Sequence, residues 1–148
     1  MWKESAGGRE SSRGGMTREK EKPMGLRLLI VDDNADAAES LGKLLSAHGF
    51  SAAVAHGGEA GIELATAFNP DVFILDLSMP GMDGYELARR LRGMPEFAQK
   101  HYVALTAHSD QWHMDGATNA KFDDYLVKPC KLALLLKILS EVGSHQVH

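Results

Sequence analysis

Four short apolar runs in this sequence are each followed at once by a polar or charged side chain, and this pattern constrains the fold more than any other feature. The runs and the residues that end them are 28–31 with Asp32 and Asp33, 72–75 with Asp76, 102–105 with Thr106, and 125–127 with Lys128. A continuous apolar run is typical of a strand that is buried on both faces, whereas an alternating pattern is not. The sequence therefore predicts four buried strands that each deliver a polar group at the carboxyl end.

Segments with the length of short helices lie between the apolar runs. They cover residues 35–48, about 58–68, 84–93 and 111–120. Strands that alternate with helices imply right-handed crossovers and a parallel sheet. In an open sheet of this kind, ligands bind beyond the carboxyl ends of the strands. The polar residues that end the four strands should therefore meet at one edge of the sheet and form a site.

Local signals place the remaining elements. Asn34 can cap the helix that follows the first strand. A short second strand is predicted at about 52–55. Asp83 and Glu86 have the spacing of a capping box at the start of the third helix. Pro129, a good residue for a first helical turn, precedes the last helix.

Two of the predicted helices carry apolar stripes. The stripe of the first helix consists of Ala38, Leu41, Leu44 and Leu45. The core stripe of the last helix consists of Leu132, Leu135, Leu136, Leu139 and Val142. Leu134 and Ile138 add a second stripe to that helix, four residues apart. This extra apolar surface is either a dimer or partner contact or the wider edge of the core.

The length and composition fit one domain in a reducing compartment. The chain has 148 residues, and residues 24–143 are the predicted domain. Cys130 is the only cysteine, so no disulfide can form within the chain, which is typical of a cytoplasmic protein. No apolar stretch approaches the roughly 18 residues of a membrane helix, so no membrane insertion is expected. Residues 144–148 are predicted to be a short tail, with no output domain after the last helix.

The first 23 residues differ in composition from the rest. They contain almost no large apolar side chain, lack the apolar core of a signal peptide, and are predicted to be a disordered tail or linker. They carry six Lys and Arg against four Glu, whereas the remainder carries ten basic against sixteen acidic residues. An acidic domain argues against nucleic acid as a direct partner.

The motifs at the strand ends resemble those of a known family, the receiver domain of two-component response regulators. The matching segments are Val31-Asp32-Asp33-Asn34, Asp76 with Met79-Pro80-Gly81-Met82-Asp83-Gly84, Leu105-Thr106-Ala107, and Tyr125-Leu126-Val127-Lys128-Pro129. Each motif is weak alone, but four in this order are specific, and the resemblance covers roughly residues 26–142. It implies a flavodoxin-like, doubly wound α/β fold with five parallel strands in the order 2-1-3-4-5. Three helices are expected on one face of the sheet and two on the other.

The resemblance also implies the chemistry of the site. Asp76 corresponds to the phosphoacceptor of the family, whose acyl phosphate hydrolyses readily and so carries a temporary signal in a phosphorelay. Clustered carboxylates raise one another's pKa, and Mg²⁺, a cation that prefers oxygen ligands, resolves that conflict. By resemblance, Asp33 and Asp76 bind the ion directly, Asp32 binds it mostly through water, and Ser78 contributes its backbone carbonyl.

Four further residues receive roles from the same resemblance. Lys128 can pair with Asp76 and then with a phosphate oxygen, and Thr106 offers a hydroxyl to another oxygen. Thr106 and Tyr125 form the implied switch, in which the threonine moves toward the phosphoryl group and the tyrosine turns inward. His108, two residues past Thr106, is either a packed or solvated residue or tunes the lifetime of the phosphoryl group through water.

The implied partners are proteins. The phosphoryl donor would be a histidine kinase or a histidine phosphotransfer protein, and the signal would pass to a downstream protein target. The implied readout face is the fourth helix, fifth strand and fifth helix, which would also serve a homodimer. The fourth helix is expected to be short or irregular because Gly116, Thr118 and Asn119 are poor helix formers. Trp112 within it is expected to be partly exposed.

Two other functions compete with a phosphoacceptor signalling domain. A degenerate receiver would act as a constitutive interaction domain, and the complete set of carboxylates, hydroxyl and lysine argues against it. A Mg-dependent phosphohydrolase with an aspartyl nucleophile is the other alternative. Enzymes of the haloacid-dehalogenase type need a second Asp two residues after the nucleophile, where this chain has Ser78. The sequence therefore favours a signalling domain over an enzyme.

Overall fold

The computed structural model describes residues 25–107 and 122–147, with side chains as far as residue 144. The predictions for residues 1–23, for His108 and for the fourth helix with Trp112 lie outside these ranges. Within the described part of the chain, no helix is long and apolar enough to cross a membrane.

Five parallel strands form a single sheet. The strands are β1 (Arg27–Val31), β2 (Ser51–Ala55), β3 (Val72–Asp76), β4 (His101–Thr106) and β5 (Asp124–Val127). Their order is β2-β1-β3-β4-β5, and every neighbouring pair is parallel. This confirms the predicted sheet and its strand order. The carboxyl ends of β1, β3, β4 and β5 therefore lie along the same edge.

Four described α-helices cover the two faces of the sheet. They are α1 (Ala35–Ala47), α2 (Gly58–Phe68), α3 (Gly84–Arg92) and α4 (Leu132–Val147), with a short 3-10 helix at Pro95–Phe97. One core cluster packs α1 and α4 against side chains such as Ile30 and Ile74. The other packs α2 and α3 against Leu29, Phe73 and Leu75. Because β1 and β3 supply residues to both clusters, they are buried on both faces, which explains their continuous apolar sequence.

The helix boundaries follow the local signals closely. The Asn34 side chain accepts a hydrogen bond from the Ala37 N–H at 3.1 Å, which confirms it as the cap of α1. The Asp83 side chain accepts one from the Glu86 N–H at 2.9 Å, as the capping spacing predicted. Helix α4 continues to Val147, past the predicted domain boundary at residue 143.

The apolar stripes are only partly buried. Ala38 and Leu45 belong to the core, but Leu44 is 47% exposed, so the buried face of α1 does not include the whole stripe. Leu44 sits at the edge of the helix face, where no described neighbour covers it fully. In α4, Ile138 packs against the core cluster while Leu134 is 49% exposed. Within the second stripe, Ile138 therefore lies at the edge of the core and Leu134 lies on the exposed surface.

Candidate functional site

Polar groups gather at the carboxyl edge of the sheet, as the strand-end pattern predicted. Among the residues that the structure describes, only three polar or charged side chains are buried: Asp32, Asp76 and Thr106. They end β1, β3 and β4, three adjacent strands. Burying polar groups costs free energy unless they are paired, so their concentration at one edge marks a functional site.

Backbone hydrogen bonds fix the ends of the strands. The Asp32 N–H donates to Ala55 O at 3.1 Å, and the Lys128 N–H donates to Thr106 O at 2.7 Å. These bonds extend the sheet pairing to the residues that carry the functional groups. The site therefore rests on the rigid part of the fold.

Each of the two buried carboxylates also accepts a hydrogen bond from the backbone just after it. The Ser78 N–H donates to Asp76 Oδ1 at 3.2 Å, and the Asn34 N–H donates to Asp32 Oδ1 at 3.0 Å. Both contacts close a tight turn at a strand end. They set the direction in which each carboxylate points.

Lys128 joins the two buried carboxylates. Its Nζ lies 3.0 Å from Asp32 Oδ2 and 3.3 Å from Asp76 Oδ1. The lysine side chain is 31% exposed, whereas the two carboxylate side chains are 3% and 4% exposed. A cation that reaches in from the surface thus neutralises part of the buried negative charge.

The carboxylates of Asp32, Asp33 and Asp76 can hold a metal ion. Each offers one oxygen atom, and these atoms all lie within 4.8 Å of one another. Asp33 is exposed, so water has access to one side of the group. Oxygen ligands with room for water suit Mg²⁺, which keeps several waters when it binds proteins. The residues present therefore fit the predicted cofactor.

The electrostatics of the site are set by burial and by the facing charges. Burial raises the pKa of Asp76 from its ordinary 3.8 to about 6, and the charge of Asp32 adds to the rise. The Ser78 N–H and Lys128 oppose that rise in pKa. Burial would lower the pKa of Lys128, but its hydrogen bond to Asp32 and the charge of Asp76 raise it above the ordinary value. The lysine therefore remains a cation, whereas the pKa of Asp76 is about 6.

The two residues of the implied switch occupy neighbouring strands. Thr106 is fully buried at the end of β4, and Tyr125 is half-buried in β5. The Tyr125 ring meets Phe122 edge to face at 5.7 Å, and Phe122 meets Tyr85 of α3 at 6.2 Å. Sequence reasoning missed Phe122 and this row of rings, although its position three residues before Tyr125 was visible.

A loop of seven residues connects Asp76 to α3 and carries Ser78. Leu77 and Met79 are buried, Ser78 is exposed, and Gly81 has a φ of 76°. A left-handed φ of this kind favours glycine. Buried apolar residues therefore anchor the loop at Leu77 and Met79, while Ser78 and Gly81 are exposed to solvent.

The chain matches a family model over most of its length. Residues 28–140 match the response regulator receiver domain. The response regulator MprA of Mycobacterium tuberculosis is 37% identical over 113 residues, which are 76% of this chain and 48% of that protein. The chain spans about half the length of the curated relatives it matches.

Solved structures have the same fold. The signal receiver domain of a signal transduction histidine kinase from Syntrophus aciditrophicus has a TM-score of 0.73 and 30% identity, covering 82% of this chain and 92% of that chain. The receiver domain of the sensor histidine kinase PA1611 from Pseudomonas aeruginosa has a TM-score of 0.73 and 28% identity, covering 81% and 98%. That structure has a magnesium ion coordinated in its active site cleft.

Proposed function

This chain belongs to the response regulator receiver domain family, and from that premise we propose that Asp76 accepts a phosphoryl group from a histidine kinase or a histidine phosphotransfer protein. The observation that carries the proposal is the position of Asp76. It is buried at the end of the central strand β3, beside Asp32 and Lys128, and its carboxylate is oriented by the Ser78 N–H.

The transfer exchanges one bond to phosphorus for another. A carboxylate oxygen of Asp76 attacks phosphorus while the bond to the donor atom breaks, and the donor atom keeps the electron pair. For a phosphohistidine donor, the leaving imidazole takes up a proton from solvent. The product is an acyl phosphate, which water can hydrolyse to restore the aspartate.

The carboxylates of Asp32, Asp33 and Asp76, with the backbone carbonyl of Ser78, are the proposed ligands of Mg²⁺. The magnesium ion in the cleft of the PA1611 receiver domain supports this assignment. When bound, the ion supplies positive charge that neutralises the phosphoryl oxygens and orients the group for in-line attack. Ionised carboxylates are needed for binding, so affinity should depend on pH.

Lys128 and Thr106 are the proposed contacts to the phosphoryl oxygens. The Lys128 ammonium already lies 3.3 Å from Asp76 Oδ1, within reach of a group attached to that carboxylate. Thr106 ends β4, the strand next to β3, and a hydroxyl there can donate to another oxygen. Both contacts can form only when Asp76 carries the phosphoryl group. Phosphorylation would therefore favour the local arrangement in which Lys128 and Thr106 contact that group.

The signal is proposed to leave the site through Thr106 and Tyr125. Their strands β4 and β5 are paired, with Thr106 opposite Val127. Movement of the threonine toward the phosphoryl group would open space beside β5, and the tyrosine would turn into it. The edge-to-face contact with Phe122 is then lost or rearranged. A downstream protein target, or a second copy of this chain, would respond to the changed surface around β5 and α4.

One labelling experiment tests the proposal. Acetyl phosphate with Mg²⁺ should label the wild-type protein with an acid-stable but hydroxylamine-sensitive phosphate. Asp76→Asn should keep the fold and accept no label, because an amide is not a nucleophile. Asp36→Asn, which changes an exposed carboxylate in α1, is the matched control and should label normally.

The outcomes separate the candidate functions. Unchanged labelling of Asp76→Asn would exclude Asp76 as the acceptor. A wild-type protein that takes no label under any donor would be a degenerate receiver. Turnover of a generic phosphate ester would indicate the phosphohydrolase alternative.

A further inference from the structure

Side-chain contacts hold the middle of the loop between β3 and α3 in position. Its first residue is fixed by the sheet, since the Leu77 N–H donates to Leu105 O at 2.9 Å. Its last residue, Asp83, caps α3. Between them lie Ser78 and Gly81, which are exposed. Met79 and Met82 are therefore the apolar anchors of this stretch, and both pack against the core on the α2 and α3 face.

Met82 lies directly on the backbone of Gly58, the first residue of α2. A Cβ built on Gly58 would be 2.5 Å from Met82 Sδ and 2.9 Å from both Met82 Cβ and Cγ. Real Cβ atoms essentially never come within 3.0 Å of a non-bonded heavy atom elsewhere in the chain. Since the Cβ of Met82 moves only with its backbone, a new rotamer cannot relieve the contact. Any side chain at residue 58 must push the loop or the helix away.

The need for glycine at residue 58 comes from this contact and not from its own backbone. The positive-φ glycines in the described ranges are Gly49 and Gly81, so Gly58 has no left-handed conformation to maintain. Within a helix, alanine is favoured over glycine. On local grounds Gly58→Ala should stabilise α2, and any damage must arise from Met82.

We propose that Met82 is a positioning residue for the metal site: seated on the bare backbone of Gly58, it holds the loop so that the Ser78 carbonyl and the Asp76 carboxylate face the same ion. The inference rests on the proposed function, because it concerns how the proposed ligands are presented. Met82 acts through the loop backbone and does not itself contact the ion or the phosphoryl group. Helix α2 thereby supports the loop between β3 and α3, which carries Ser78.

The chain offers a matched control in the preceding residue. Gly57 has a φ of −174°, an extended conformation that any residue adopts, and a Cβ built on it meets nothing within 4 Å. Gly57→Ala therefore adds the same methyl group one residue away without touching the loop.

The experiment compares five full-length proteins: wild type, Gly57→Ala, Gly58→Ala, Met82→Ala and the double variant Gly58→Ala with Met82→Ala. The Mg²⁺ dissociation constant is obtained from the rise in unfolding temperature with Mg²⁺ concentration. The unfolding temperature without Mg²⁺ and the initial rate of labelling by acetyl phosphate are measured in parallel.

We expect Gly58→Ala to weaken Mg²⁺ binding by about tenfold, the order found when a group that orients metal ligands is changed. Labelling should slow by about tenfold, within the roughly 100-fold that a 1 Å misplacement can cost. Gly57→Ala should stay within about twofold of wild type. Met82→Ala should lose part of the affinity, and the double variant should match Met82→Ala, because the residue that clashes is gone. Without Mg²⁺, Gly58→Ala should unfold at a lower temperature than the double variant.

The possible results separate the inference from the proposed function. If Gly58→Ala fails to fold but the double variant folds, Met82 is responsible for the clash, and the Mg²⁺ dissociation constant of Met82→Ala decides: weaker binding than wild type supports the inference, and wild-type binding overturns it. The inference is overturned if Gly58→Ala binds Mg²⁺ and labels like wild type, or if removing Met82 rescues neither folding nor affinity. A wild-type protein that neither binds Mg²⁺ nor takes label overturns the proposed function, and this inference with it.

Discussion

The backbone of Gly84 packs against the backbone carbonyl of Asp76, where only a hydrogen atom fits. A Cβ built on Gly84 would lie 2.9 Å from the Asp76 carbonyl carbon and from Leu77 Cα, and closer still to the Asp76 carbonyl oxygen. Neither partner can move freely. Asp76 is paired in the centre of the sheet, and α3 is held by the fully buried Leu87 and Leu91.

Gly84→Ala should therefore displace Asp76, the proposed phosphoacceptor. Overpacking of backbone against backbone costs about 1–3 kcal/mol of the free energy of unfolding. A shift of Asp76 by about 1 Å should slow labelling by acetyl phosphate by up to about 100-fold. Gly93→Ala, at the other end of α3, is the control, since its nearest contact would be an ordinary 3.4 Å. Equal labelling rates for the two variants would contradict this role.

Asp76 should make the protein less stable as the pH rises from about 4 to about 7. Its pKa is near 3.8 in the unfolded chain and about 6 in the folded protein, so the folded state holds the extra proton in this range. The contribution of this proton to the free energy of unfolding is fully present below about pH 4 and is lost as the pH rises through about 6. The shift corresponds to about 3 kcal/mol.

The variant Asp76→Asn tests the predicted direction of this pH dependence. The variant should be more stable than wild type at pH 7, by up to about 3 kcal/mol, and the two proteins should converge near pH 4. Urea unfolding of both proteins at several pH values, without Mg²⁺, gives the comparison. Parallel pH profiles would show that Asp76 does not titrate near neutrality.

The sequence predicts those site residues that directly follow an apolar run. Features that arise from the packing of helices and strands against one another could not be predicted in this way. Asp32, Asp76, Thr106 and Lys128 follow apolar runs directly, so their convergence follows from a parallel sheet alone. The contact between Phe122 and Tyr85 joins parts of the chain that are distant in sequence. A stripe in the sequence gives the direction of a helix face but not its width, which is why the exposure of Leu44 was missed.

Asp33→Ala should remove most of the stabilisation that Mg²⁺ provides. An ion at ten times its dissociation constant stabilises the folded state by about 1.4 kcal/mol. Asp33 is the exposed member of the three-carboxylate group, so its removal leaves the buried pair with Lys128 intact. The rise in unfolding temperature with Mg²⁺ is the measurement, and Asp36→Ala in α1 is the control. A full Mg²⁺ effect in Asp33→Ala would exclude Asp33 as a ligand.

Lys128→Met should raise the pKa of Asp76 further, because Lys128 is one of the influences that lower it. Two buried carboxylates would then lack their cation. At pH 7 the variant should lose about 1–3 kcal/mol of unfolding free energy, less than for a fully buried pair because the lysine is 31% exposed. Lys128→Arg keeps the charge and should retain most of the stability. The midpoint of the stability profile should move to higher pH in Lys128→Met, and an unmoved midpoint would contradict the pairing.

Leu44→Ser should impair transfer from a protein donor while sparing transfer from a small one. Leu44 is 47% exposed and lines, with Leu41, Pro129 and Cys130, a cavity of about 230 Å³ that also reaches Asp32 and Lys128. Because this apolar surface lies beside Asp32 and Lys128, we expect a protein donor that phosphorylates Asp76 to cover it. An exposed anchor of this kind contributes on the order of tenfold in affinity.

The measurement compares labelling rates at a limiting concentration of a phosphorylated histidine phosphotransfer protein with rates from acetyl phosphate. Leu44→Ser should lose about tenfold with the protein donor and less than about twofold with acetyl phosphate. Its unfolding free energy should stay within about 0.5 kcal/mol of wild type, as expected for a surface position. Lys43→Ser, at the neighbouring exposed position, should label normally with both donors. An equal loss with both donors would place the effect in the site itself and not in the docking of the donor.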